Sequence, residues 1–149
     1  MDALNRDCGY PLIMRKPPIS LLIIESHALM RSALVTALAE EPDLDVVAAT
    51  ADGTEGIALF EQHRPDLVLI DLALPDMDGV NTIERIIAAK PRAKILVITS
   101  EEKRERILAA LEAGALGYFP KNTARADLIT AVRKATEGIN TICPLILPG

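Results

Sequence analysis

Asp66-Leu67-Val68-Leu69-Ile70-Asp71-Leu72-Ala73-Leu74-Pro75-Asp76-Met77-Asp78-Gly79 decides how this chain folds. Leu67–Ile70 is a continuous apolar run of strand length, the pattern of a strand buried on both faces of a parallel sheet. Asp71 ends the run, so a carboxylate is pushed out of the sheet at its centre. Pro75 fixes the loop that follows. Asp76, Asp78 and Gly79 read as turn residues leading into a helix.

The same alternation extends on both sides. Strand-length apolar runs occur at Ile19–Ile24, Asp45–Thr50, Ile95–Ile98 and Leu116–Phe119. Amphipathic stretches separate them. Leu29/Met30, Ala33/Leu34 and Ala37/Leu38 stripe a first helix, and Ile57 and Phe60 a second. Val80, Ile83 and Ile86/Ile87 stripe a third. Ile107/Leu108 and Leu111 mark a fourth, expected from about Glu102 to Ala113, and Leu128, Val132 and Ala135 a fifth. Gly114 and Gly138 stand where helices four and five should stop. The expected fold is α/β: five βα units, a central five-stranded parallel sheet and helices on both faces, a three-layer sandwich.

The chain has 149 residues, enough for one domain, and is 50% hydrophobic and 25% charged. Aromatics are only 3%, which argues against a base-stacking single-strand binder. The net charge of −5 argues against a general nucleic-acid coat. Residues 1–18 read as an N-terminal tail, 19–138 as the folded domain and 139–149 as a C-terminal extension. No run reaches the roughly 18–20 apolar residues of a membrane span. Cys8 and Cys143 lie far apart, and neither they nor His27 and His63 have metal-ligand spacing. A reducing, cytoplasmic setting is expected, with no membrane partner.

In such sheets ligands collect at the carboxyl ends of the strands. Glu25-Ser26 ends strand one, Asp71 strand three, Thr99-Ser100 strand four, and Lys121 lies just after strand five. Glu25 and Asp71 can share a hard cation, and a small oxygen-only set suits Mg²⁺ better than zinc. Lys121 can pair with a carboxylate or a phosphoryl group, and Thr99 can donate to the same group. Read singly, Ser26 is a helix N-cap, Thr99 a β-branched strand residue and Lys121 a surface cation. Their joint placement on one rim favours the functional reading.

From Ile19 to Gly138 the chain resembles the receiver domain of bacterial two-component response regulators. The residues that carry this are Asp66–Gly79, Ile98-Thr99-Ser100, Gly114-Ala115 and Gly117-Tyr118-Phe119-Pro120-Lys121. Ser26-His27-Ala28-Leu29-Met30-Arg31 is similar to the first helix of the LuxR-type output subgroup. The resemblance implies a flavodoxin-like strand order, 2-1-3-4-5. It implies that Asp71 accepts a phosphoryl group from a histidine kinase or phosphotransfer protein, that Thr99 and Lys121 contact that group, and that Tyr118 is the switch aromatic. It implies Mg²⁺ held by Glu25, Asp71 and the backbone carbonyl of Ala73, and a homodimer through helix four, strand five and helix five or through helices one and five. It implies a signalling switch rather than an enzyme, and the chain itself carries no helix-turn-helix for DNA.

The chain departs from the family at Ser26. The family usually ends strand one with two acids, so here the carboxylates around the metal fall from three to two and weaker Mg²⁺ binding is expected. Glu25, one methylene longer than Asp, can reach further. The same departure favours the alternative of a phosphorylation-independent binding module. Pro120 before Lys121 and Asn122 after it are a second departure. An aspartate-nucleophile phosphatase would want an acid at position 73, which is Ala. A flavin or dinucleotide site would want a phosphate loop where Glu25-Ser26-His27-Ala28 stands.

Overall fold

The computed structural model describes residues 17–100, 103–137 and 141–142. The strands are β1 (Ile19–Ile24), β2 (Leu44–Thr50), β3 (Leu67–Ile70), β4 (Ile95–Thr99), β5 (Gly117–Pro120) and β6 (Thr141–Ile142). The helices are α1 (Ala28–Ala39), α2 (Gly53–His63), α3 (Gly79–Ala89), α4 (Arg104–Ala113) and α5 (Arg125–Thr136). The sheet order is β2-β1-β3-β4-β5-β6, all parallel. The first five strands carry the flavodoxin-like order. The two-residue β6 adds an edge that the sequence reading had placed in the C-terminal extension. Strand ends shift by one residue: β2 starts at Leu44, β4 reaches Thr99, and β5 runs from Gly117 to Pro120.

Alternation along the strands divides the core. Leu22, Ile24, Val68, Ile70, Ile95 and Val97 face one way, against Phe60 of α2, Ile83 and Ile86 of α3, and Ile107 and Ala110 of α4. Leu21, Ile23, Leu67, Leu69, Leu96 and Ile98 face the other way, against α1 and α5. Both faces of β3 are buried, which is why its sequence is apolar without alternation.

Helix boundaries follow local chemistry. Asp52 and Asp78 cap α2 and α3 through their side chains. Gly114 ends α4 at φ 128°, a conformation that favours glycine. Gly138, expected to stop α5, lies outside the described residues, as do Cys8, Cys143, Glu102 and most of both terminal segments. The N-cap of α1 is His27, whose Nδ1 accepts from the Met30 N–H, so the capping role expected of Ser26 is corrected. Leu108 is also corrected. The inward face of α4 runs through Ile107, Ala110 and Leu111, at i, i+3 and i+4, and leaves Leu108 facing solvent.

Gly79 draws α3 against the end of β3. A Cβ there would meet Leu72 Cα at 2.5 Å, the Asp71 carbonyl oxygen at 2.7 Å and the Leu72 carbonyl oxygen at 2.9 Å. These are backbone atoms that cannot rotate away. Gly79→Ala is therefore expected to cost about 1–3 kcal/mol of stability by overpacking, read as a lower urea midpoint at unchanged slope. An unchanged midpoint would show that the loop yields freely.

Candidate functional site at the carboxyl ends of the strands

Register brings the acids together. Ile24 of β1 pairs with Ile70 of β3, so the residues that follow, Glu25 and Asp71, leave the sheet side by side. The Asp71 N–H donates to the Ile24 carbonyl at 2.9 Å, and the Glu25 N–H to the Thr50 carbonyl at 2.9 Å. Both side chains are buried, with residue exposures of 0% for Glu25 and 2% for Asp71. On the other flank Thr99 pairs with Pro120, and the Lys121 N–H donates to the Thr99 carbonyl at 3.2 Å.

Lys121 bridges the acids. Its Nζ lies 2.8 Å from Asp71 Oδ2 and 3.0 Å from Glu25 Oε2. The remaining Asp71 oxygen, Oδ1, accepts from the Ala73 N–H at 3.2 Å. Glu25 Oε2 also accepts from the His27 N–H at 2.8 Å. Glu25 Oε1 is different: among the described residues it is the one buried side-chain oxygen with no hydrogen-bond partner. Such an atom is costly unless something compensates it.

Burial is the main influence on the Glu25 carboxyl and lifts it above its ordinary 4.5; the charge of Asp71 adds to this, while the His27 N–H and Lys121 oppose it. For Lys121, burial acts to lower the ammonium, but the hydrogen bonds it donates to Asp71 and Glu25 outweigh it and hold the group above 10.5. One ammonium therefore serves two carboxylates, and the trio keeps a negative excess.

Ser26 Oγ donates to the Ala73 carbonyl at 3.0 Å, tying the end of β1 to the loop after β3. Thr99 is fully buried at the end of β4. Tyr118, 7% exposed, packs within the core cluster under α2, α3 and α4. Of the residues expected at the rim, the structure thus gathers Glu25, Ser26, Asp71, Ala73 and Lys121 into direct contacts, sets Thr99 beside them through the backbone, and turns Tyr118 inward.

Asp76 and Asp78 exceed their reading as turn residues. Asp78 caps α3 through the Val80 N–H at 2.9 Å and also takes the Arg106 guanidinium bidentately, at 2.7 and 2.8 Å, linking α4 to the loop. The hydrogen bonds to Arg106 are the first cause holding the Asp78 carboxyl below its ordinary 3.8. Asp76 accepts from the Gly53 N–H at 2.8 Å and the Thr54 N–H at 2.9 Å at the start of α2. The sequence signal was present in Asp76 and in the basic start of helix four, but their partners lie in other helices.

Among the described residues no group of three or more His, Cys, Asp or Glu is arranged to hold a metal. No described helix is long and apolar enough to cross a membrane.

The response regulator receiver domain model matches residues 21–133. A protein-glutamate methylesterase/protein-glutamine glutaminase of Nitratidesulfovibrio vulgaris is 39% identical over 111 residues, covering 74% of this chain and 30% of that protein. The transcriptional regulatory protein LiaR of Bacillus subtilis is 34% identical over 120 residues, 80% of this chain and 57% of its own length. The chain thus spans between about a third and somewhat over half of these curated relatives. A two-component response regulator of the LuxR family from Aurantimonas superposes with a TM-score of 0.82 at 29% identity, covering 87% of this chain and 92% of that one. The match across nearly all of β1 to α5, on a sheet of flavodoxin-like order, places this chain in the response regulator receiver domain family of two-component signalling.

Proposed function

We propose that the chain is a phosphorylation-controlled switch whose phosphoacceptor is Asp71. The observation that carries this reading is the carboxylate at the end of the central strand, held at 2.8 Å by Lys121 beside a second buried acid. The donor is the phosphohistidine of a kinase or phosphotransfer protein. An Asp71 carboxylate oxygen attacks phosphorus, an O–P bond forms and the P–N bond breaks. The imidazole nitrogen leaves with the electron pair and takes up a proton. Asp71 becomes an acyl phosphate, whose phosphoryl group presents anionic oxygens to Lys121 and to the Thr99 hydroxyl. Tyr118 is the aromatic that responds to movement of Thr99.

The residues fit Mg²⁺. Glu25 Oε1 lacks a partner, the donors are all oxygen, and the trio has a negative excess. Glu25, Asp71 and the Ala73 carbonyl would hold the ion, with Ser26 as a neutral neighbour. Bound there, Mg²⁺ would offset charge on the transferring phosphoryl oxygens. The chain's own part is to hold Asp71 in place through Lys121 and the Ala73 N–H.

A second reading, a phosphorylation-independent binding module, is favoured by Ser26. Its hydroxyl already engages the Ala73 carbonyl, which is the oxygen Mg²⁺ would take. For self-association, the face of α1 and α5 is the better candidate. Leu29 is 78% exposed there, beside a groove lined by Ala33, Ala37 and Arg125.

Three outcomes are expected. Acetyl phosphate with Mg²⁺ should add about 80 Da to the intact mass, and Asp71→Asn should not be labelled. Labelling that survives Asp71→Asn refutes the assignment; no labelling of the wild type favours the binding module. Ser26→Asp should tighten Mg²⁺ binding about tenfold or more by adding a hard anionic ligand, and Glu25→Ala should abolish it. Equal affinity in the wild type and Ser26→Asp, together with binding that survives Glu25→Ala, would overturn this account of the metal site.

The third outcome concerns pH. A carboxyl raised above its unfolded value favours the folded state while protonated. Its contribution is full below 4.5 and is lost as pH rises through the raised folded value. The metal-free protein should therefore lose stability as pH climbs above 4.5, and Glu25→Gln should lack that slope. Urea midpoints across this range check it, and parallel curves for the two proteins would refute it.

A further inference from the structure

The start of α2 is served by two carboxylates. The first N–H groups of a helix have no partner within it. The side chain of Asp52, the N-cap, accepts the Glu55 N–H, at 2.9 Å. The Gly53 and Thr54 N–H groups go to Asp76, at 2.8 and 2.9 Å, one to each oxygen. Asp76 lies 23 and 22 residues away from them, in the loop that follows Asp71. A carboxylate is suited to this place, since it meets both the free donors and the positive end of the helix dipole. The Thr54 side chain and the Gly53 and Thr54 N–H groups hold the Asp76 carboxyl at about 2, so it is charged at neutral pH.

The contact is close on both sides of the loop. Gly53 carries no side chain, and a Cβ there would meet Met77 Cγ and Thr82 Oγ1, each at 2.6 Å. The loop residue after Asp76 therefore presses on the same helix start. Three residues before Asp76 stands Ala73, whose two backbone groups both face the site. Its N–H donates to Asp71 Oδ1 at 3.2 Å and its carbonyl accepts from Ser26 Oγ at 3.0 Å. Between Ala73 and Asp76 lie Leu74, packed against the core, and Pro75, whose ring fixes φ. The segment is short and stiff, so the seat of Asp76 sets the direction of the Ala73 peptide groups.

We infer that Asp76 is a positioning residue of the phosphoacceptor site: seated on the start of α2, it fixes Ala73 so that its N–H meets Asp71 and its carbonyl faces the metal position. The inference rests on the phosphotransfer reading of Asp71. It assigns α2, which contributes no side chain to the trio of charges, a part in holding the site.

Two variants of the full chain separate this from simple helix capping. Asp76→Ala and Asp52→Ala each remove an acceptor from the same helix start, but only the first releases the loop. In metal-free protein, Asp76→Ala should speed hydrogen exchange at the Ala73 amide about three- to tenfold, the scale of one lost hydrogen bond. Its Mg²⁺ affinity should fall by a similar factor. Asp52→Ala should lower the urea midpoint while leaving both readings unchanged. Asp76→Asn, which keeps one acceptor oxygen, should fall between wild type and Asp76→Ala, and serves if the latter does not fold. A drop in midpoint with unchanged Ala73 exchange and unchanged Mg²⁺ affinity would reduce Asp76 to a helix cap and overturn the inference. Failure of the wild type to take up Mg²⁺ or phosphate would instead refute the phosphotransfer reading, and the metal-free Ala73 comparison would still decide the role of Asp76.

Discussion

Two carboxylates buried side by side, with one ammonium between them, are the constraint on which this site depends. Glu25 and Asp71 are brought out of water at adjacent strand ends, where burial first, and the neighbouring Asp71 charge second, disfavour ionisation of Glu25. Lys121 answers part of that cost through its two ion pairs. The unpartnered Glu25 oxygen shows that the answer is incomplete. A packed apolar trio would serve stability better than this arrangement.

The loop after β3 connects this charge cluster to the rest of the molecule. Ser26 holds it to the end of β1, Asp76 to the start of α2, and Asp78 to Arg106 of α4. Gly79 lets the chain turn into α3 with no room to spare. The loop that begins after Asp71 is thus tied to three separate elements. Of these, α4 is held least firmly by local chemistry. It has no side-chain hydrogen bond at its N-cap and buries only Ile107 and Ala110. Elements with few buried contacts open at low cost.

Some readings of the sequence met competition that only the folded chain reveals. Ser26 is chemically a good N-cap, but its hydroxyl is engaged by the Ala73 carbonyl, and His27 takes over the cap. Leu108 fits an apolar stripe by spacing, yet α4 turns Ile107, Ala110 and Leu111 to the core and leaves Leu108 exposed. Asp76 and Asp78 looked like turn residues because turn propensity is local, whereas the groups they bind are distant in sequence.

By itself the sequence determined the alternation of strands and helices, the centrality of β3, and the family to which the loop Asp71–Gly79 belongs. Those features depend on apolar runs and on short-range chemistry, which one segment carries alone. Only the tertiary structure decided that Lys121 bridges Glu25 and Asp71 across 96 and 50 residues of chain, and that one Glu25 oxygen is left without a partner. Distances of that kind follow from strand register and helix packing, because hydrogen bonds and ion pairs depend on where atoms stand in space, and residue type alone does not specify that.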